Sequence, residues 1–291
     1  MWNTVLDALI DSSIALPFLL AIYLLIEFLE GNERAKQKTV KLLNGRLAPL
    51  VAGGVGLVPQ CGFSVMATDL YCQNYLKMGT LIAFFVATSD EALPILLTNS
   101  KTIGVVWIVL LVKVVYAVGL GYLINLLDRR QLANEYQLSE DEEGCCHHEM
   151  SENKKKGFWN FVKHPLLHTL KIFVYLFVIN AIFGLILYFA EQPILDFCAS
   201  IGFAQSFITA AIGLLPICAS SVIISGMYAD GIIALPAMLA GLVSNSGIAL
   251  AILFKERKQW RRNLLIVAIM YLAGVVLGIS AHFVMTAINI L

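Results

Sequence analysis

Runs of about 20 apolar residues recur along the whole chain, and nothing else about the sequence restricts its fold so tightly. Ile103 to Leu127 holds one charged residue, Lys113, in 25 positions, and Leu264 to Ile288 holds none. A run of about 20 apolar residues spans the ~30 Å hydrocarbon core of a bilayer as an α-helix. The chain has 291 residues, 59% of them hydrophobic and only 14% charged, against about a quarter charged in a soluble domain. A β-barrel would need alternating segments of about 10 residues, and the sequence has none. The chain therefore reads as an all-α polytopic membrane protein. Its formal net charge is +0, which points to no nucleic-acid partner. The first residues, MWNTVLDALID, lack a basic stretch and a small-residue cleavage site, so no removable signal peptide is expected.

Two polar interruptions stand out inside the apolar runs. GLVPQCGFSV covers residues 56–65 and GLLPICASSV covers 213–222. The two halves align without a gap at an offset of 157. Gly56, Leu57, Pro59, Cys61, Ser64, Val65 and Tyr71 meet Gly213, Leu214, Pro216, Cys218, Ser221, Val222 and Tyr228. Ala83, Val86, Ser89, Ala92, Leu93, Ile95 and Leu96 meet Ala240, Val243, Ser246, Ala249, Leu250, Ile252 and Leu253, and Gly121 meets Gly278. Shared Pro, Cys and Ser at fixed spacing argue for internal duplication, which a small membrane alphabet alone would rarely produce.

Spans are expected at Val5–Leu29, Met78–Leu97 and Ile103–Leu127 in the first half. In the second they are expected at Leu167–Phe189, Ile233–Phe254 and Leu264–Ile288. The motif segment Leu47–Tyr75 has 29 residues, too few for two crossings of roughly 20 each. It is either one broken crossing helix or two half-helices that turn back, with Pro59 and Gly62 supplying the break. The distribution of basic residues chooses between them. With both motif segments turning back, 17 of the 20 Lys and Arg fall on one side, in 30–46, at Lys77, in 128–165 and in 255–262. With both crossing, seven of them, including Arg129, Arg130 and Lys154, are stranded outside. The expectation is two inverted-topology repeats, each of three full transmembrane helices plus one re-entrant helical hairpin. Repeat 1 covers 1–127 with its hairpin at about 47–75, a cytoplasmic linker covers 128–165, and repeat 2 covers 166–291 with its hairpin at about 204–228. Both termini are placed extracytoplasmically.

Inverted repeats are the architecture of secondary transporters, whose sites form near mid-bilayer where discontinuous helices expose backbone groups. The hairpin tips bring Gln60, Cys61 and Ser64 from one side and Cys218, Ser220 and Ser221 from the other. The thiols sit at the start of a helix, where the dipole favours thiolate, and thiolate favours soft metals. The plainer reading is that each Cys is a small packed hydrophobe. The next span in each half has its own polar centre: Ser89, Asp90 and Glu91 in one, Asn245 and Ser246 in the other. Carboxylates at that depth mark ion or proton pathways. Asp90 and Glu91 are expected about 100° apart on a continuous helix. Lys113 lies mid-span in the following helix and either pairs with Asp90 or Glu91 structurally or takes part in coupling. Asp69 either guards the cytoplasmic entrance or is an ordinary interfacial acid. In the linker, EDEEGCCHHE (140–149) gathers Cys145, Cys146, His147 and His148 with acids. It lacks the spacing of a zinc fold and is either a capture strip for a metal ion or a solvated loop. Without a nucleotide-binding loop or a hydrolase motif, the chain is expected to be neither ATP-driven nor an enzyme, and no cofactor is implied.

On VPQCGFSV and LPICASSV, each followed by a helix with a small polar centre (FFVATSDEALP and GLVSNSGIALA), the sequence resembles the ArsP-type permeases, exporters of trivalent arsenicals. It is more similar still to a related group of ten-segment heavy-metal exporters and manganese transporters. The resemblance implies efflux of a metal or metalloid across a prokaryotic cell (inner) membrane, with Cys61, Cys218, Ser64 and Ser221 at the site; Asp90 or Glu91 is expected to couple it to protons. ArsP-type motifs often carry a second Cys two positions on, where this chain has Phe63 and Ser220. That departure disfavours an arsenical, and Asp90 and Glu91 favour a divalent cation such as Mn²⁺. Two other readings stay open: a small-anion transporter using helix N-termini and Lys113, and a membrane metal sensor or scaffold acting through residues 140–150.

Overall fold

The structure, a computed structural model, describes residues 45, 47–57, 61–72, 75–88, 92–98, 102–128, 174, 178, 204–217, 219–255 and 260–290. All regular structure among them is helical: α1 (Ala48–Val55), α2 (Cys61–Cys72), α3 (Met78–Ala87), α4 (Ala92–Thr98), α5 (Ile103–Leu127), α6 (Gln205–Gly213), α7 (Ala219–Ala229), α8 (Leu235–Ser244), α9 (Ala249–Lys255) and α10 (Trp260–Ile290). The expected spans Val5–Leu29 and Leu167–Phe189 (apart from Val174 and Val178), the Cys/His linker and the chain ends lie outside the described residues. Among the described residues, three stretches are long and apolar enough to cross a membrane: Ile103–Leu127, Leu235–Phe254 and Trp260–Ala287.

Helix α5 shows how its sequence sets its role. Val106, Val109, Lys113, Ala117, Gly121 and Ile124 are its buried residues, spaced three or four apart, so they form one stripe. Its other faces expose Trp107, Ile108, Leu111, Val115 and Leu126. An apolar surface of that extent suits lipid and not water. The same pattern governs α10, where Asn263, Ile266, Met270, Ala273 and Leu277 face inward while Leu264, Leu265, Leu272 and Val276 face outward.

Packing between these long helices and the short central ones depends on small residues, as expected where apolar burial gives no driving force between helices. A Cβ on Gly121 would lie 2.8 Å from Ala83 Cβ and 2.9 Å from Pro49 Cβ, so α5 can approach α3 and α1 only with glycine there. A Cβ on Gly278 would lie 2.8 Å from Ala240 Cβ and 2.8 Å from Ser206 Cβ. Each partner in the second set is 157 positions from its counterpart in the first. Polar cross-links reinforce the contacts. Thr209 Oγ1 donates to Ala237 O at 2.6 Å, Ser244 Oγ to Ala210 O at 2.8 Å, and Asn263 Nδ2 to Leu253 O at 2.6 Å.

The helix order recurs at that same offset. Helices α3 and α8 match end to end, as do α4 and α9, and the starts of α1 and α6 and of α5 and α10 coincide. Between the halves the short helices exchange partners: α2 packs on α9, and α7 packs on α4. Helices α3 and α8, which are counterparts, pack on one another. Tyr116 Oη donates to Ala273 O at 2.8 Å, a bond between a residue and the residue at its own repeated position.

One expectation is corrected. The span Met78–Leu97 is not one continuous helix: α3 ends at Ala87, Thr88 turns to φ −57°, ψ 129°, and α4 begins at Ala92. The same happens in the second half, where α8 ends at Ser244, Asn245 is extended, and Gly247 takes φ 53°. The local causes differ. Pro94 cannot donate to the carbonyl four residues back, whereas the second break has no proline and uses a left-handed glycine. That two unlike sequences break at the same place shows that the surroundings require it.

Candidate functional site

The breaks after α3 and α8 lie against the turns that end α1 and α6. Helix α1 carries Pro49 in its first turn, where the missing N–H costs nothing, and is capped by Gly56, whose N–H bonds back to Ala52 O. A Cβ on Gly56 would stand 2.8 Å from Ala87 Cβ and 3.0 Å from Phe84 O. The end of α1 therefore lies directly against the end of α3. The second half repeats this contact: a Cβ on Gly213 would stand 2.2 Å from Gly241 O and 2.4 Å from Ser244 Oγ, at the end of α8. Beyond each turn the chain re-enters helix, α2 beginning at Cys61 and α7 immediately after Cys218. The side chain of Cys61, and Gln60 and Cys218 altogether, lie outside the described residues, as do Ser89, Asp90 and Glu91.

In the second half the join is explicit. Asn245 is buried, and its Oδ1 accepts from Gly247 N at 2.8 Å, which holds the break in its open shape. Ser220 Oγ, in the first turn of α7, lies 3.4 Å from that same Oδ1 and donates to Ile217 O at 2.9 Å. Ser221, Ser244 and Ser246 are also buried. Ser246 Oγ has no hydrogen-bond partner, and a buried hydroxyl left unmatched costs about 1–3 kcal/mol.

In the first half a cation closes the equivalent break. Lys113, 0% exposed, donates from Nζ to the carbonyl of Thr88, the residue that ends α3. The C-terminus of a helix carries negative partial charge and unsatisfied carbonyls, and the ammonium answers both. Thr88 Oγ1 itself turns back to Phe84 O at 2.7 Å. Ser64 is buried on α2, and its carbonyl accepts Thr68 Oγ1 at 2.8 Å.

Ser220 thus meets the second polar centre at Asn245, and Lys113 bonds the carbonyl that ends α3. Cys145, Cys146, His147 and His148 lie outside the described residues, among which no group of three or more His, Cys, Asp and Glu could hold a metal ion. Asp69 is 5% exposed on α2 and so is a buried acid. Helix α2 packs on α9 of the other half as well as on α3, contacts that sequence alone does not display. Thr209, Asn263 and Asn125 are further buried or part-buried polar residues that sequence reasoning passed over. Their signal was faint, a single polar side chain on an otherwise apolar stripe.

A family model described as "ArsP_2: Putative, 10TM heavy-metal exporter" matches residues 1–167 and 147–283. No curated protein and no solved structure matches the chain.

Proposed function

The chain belongs to the ArsP_2 family, and on that footing we propose that it is a secondary transporter that expels a heavy-metal ion from the cell. The observation that carries this reading is the contact of each motif turn with a broken crossing helix, Gly56 against Ala87 and Gly213 against Gly241. Irregular backbone inside a membrane is tolerated where it is buried in protein or lines a cavity. Two such places at repeated positions are what a transporter needs near mid-bilayer.

In this reading residues 1–127 and 166–291 are inverted repeats joined by a cytoplasmic linker. Segments 47–75 and 204–228 are re-entrant hairpins entering from opposite faces. The exchange of partners between α2 and α9 and between α7 and α4 supports it, because a two-fold relation between halves produces such reciprocal contacts. Gln60, Cys61, Ser64, Cys218, Ser220 and Ser221 hold the cargo at the tips, and Asp90 or Glu91 takes up the coupling proton. The serines and the carboxylates supply oxygen, which suits a hard divalent cation such as Mn²⁺ better than an arsenical. The anion reading is weakened by Lys113, whose ammonium is fully buried and bonded to Thr88 O.

The test is elemental analysis of cells with and without the protein under a panel of metals and metalloids. One element is expected to fall in the expressing cells, and Cys61→Ser and Asp90→Asn are each expected to restore it. If no element changes, the exporter reading fails.

A further inference from the structure

The two helix breaks occupy repeated positions, yet they are closed differently. In the first, the Lys113 ammonium sits on the carbonyl of Thr88. At the offset of 157, Lys113 corresponds to Met270, Thr88 to Asn245 and Ser89 to Ser246. Met270 is fully buried on the inward stripe of α10 and offers no charge. Among the described residues, the end of α8 therefore has no cation like its counterpart's to answer its negative partial charge and the carbonyls beyond Gly241, whose own oxygen accepts from Ser244 Oγ. Within the same break Ser246 Oγ is 1% exposed as a residue and has no partner. Asn245 Oδ1, tied to Gly247 N, prevents the helix from closing over that hydroxyl.

We propose that the break between α8 and α9 is a sodium site, in which Na⁺ takes the place that the Lys113 ammonium fills in the first half. Ser246 Oγ and the carbonyls released at the end of α8 are its ligands, and Asn245 positions them. Neutral oxygens and a helix C-terminus suit a small hard monovalent cation. The charge balance agrees. Between Gln205 and Lys255 the sequence has one acid, Asp230, which is exposed beyond the end of α7. The helices packed on α8 and α9 bring one buried carboxylate among the described residues, Asp69. A divalent ion held by protein commonly draws on several carboxylates. The break itself stands independently of the exporter reading. The role rests on that reading: sodium entering together with the proton taken up by Asp90 or Glu91 would drive the cargo out, and Asn245 and Ser246 would serve coupling and not cargo.

The experiment uses the purified full chain without any heavy metal. Binding of ²²Na⁺ is measured by equilibrium dialysis, and thermal stability is followed in NaCl against choline chloride at equal ionic strength. Wild type is expected to bind ²²Na⁺ saturably and to gain stability in NaCl alone. Ser246→Ala is expected to weaken sodium binding by about tenfold or more, since hydrogen-bond-strength contacts to a charge are worth ~1.5–3 kcal/mol. Met270→Lys is expected to abolish sodium dependence by supplying a tethered ammonium. Should that variant not fold, wild type and Ser246→Ala decide. No saturable ²²Na⁺ binding by wild type, or equal binding by Ser246→Ala, overturns the proposal. Neither outcome touches the exporter reading, which stands or falls on cellular metal content.

Discussion

Single residues in this protein act chiefly through what their size and charge permit in a waterless packing. Gly121 and Gly119 are two positions apart on one helix and have opposite surroundings. A Cβ at Gly121 would strike Ala83 and Pro49, while one at Gly119 would meet nothing within 4 Å. Gly121→Ala is therefore expected to destabilise by about 1–3 kcal/mol through overpacking. Gly119→Ala should be neutral or slightly stabilising, because alanine favours helix. Thermal denaturation in detergent checks the contrast, and equal effects would contradict the packing described. The Gly121 match was legible in the sequence as an aligned pair with Gly278. Its reason was not, because close approach of two helices is a property of neither helix alone. Lys113 is a similar case: its mid-span position was legible, but its burial and its bond to Thr88 depend on where a second helix stops.

At the scale of elements, the breaks after α3 and α8 are the chief departure from sequence reasoning. Thr88 to Glu91 and Asn245 to Ile248 sit within apolar runs of the right length for one span, so a continuous helix was expected. The breaks persist because neighbours answer the freed backbone groups: Lys113 in one half, Asn245 in the other. Gly247, at φ 53°, is the residue on which the second break turns. Gly247→Ala is expected to destabilise by about 1–2 kcal/mol, the cost of placing an L side chain in a left-handed conformation. Circular dichroism melts would read this as a lowered midpoint with little change in helix content. An unchanged midpoint would mean that the backbone there is not left-handed.

For the whole molecule, the exchange of helices between halves makes each half incomplete. Helix α2 finds its cover on α9 and α7 finds its cover on α4, while Tyr116 bonds across to Ala273. Cutting the gene within 128–165 should therefore yield halves that fail when expressed singly, since each would strip α2 or α7, which carry the buried polar Asp69 and Ser225, of its packing on the other half. Expressed together, they should assemble. Co-purification of one tagged half with the other is the measurement. Stable, monodisperse single halves would contradict the interlocked packing.

By itself the sequence determined the membrane class, the helical content, the offset of 157 and the family resemblance, because apolar run length, helical spacing and motif identity are local properties of the chain. Only the tertiary structure decided that the chain breaks after α3 and α8, that the turns ending α1 and α6 lie against those breaks, that Asp69 is buried and that Lys113 closes one break while, among the described residues, no cation closes the other. Those features depend on which helices become neighbours. In a bilayer a freed carbonyl or a buried charge is stable only when a neighbour answers it, and that neighbour is here often on another helix or in the other half of the chain.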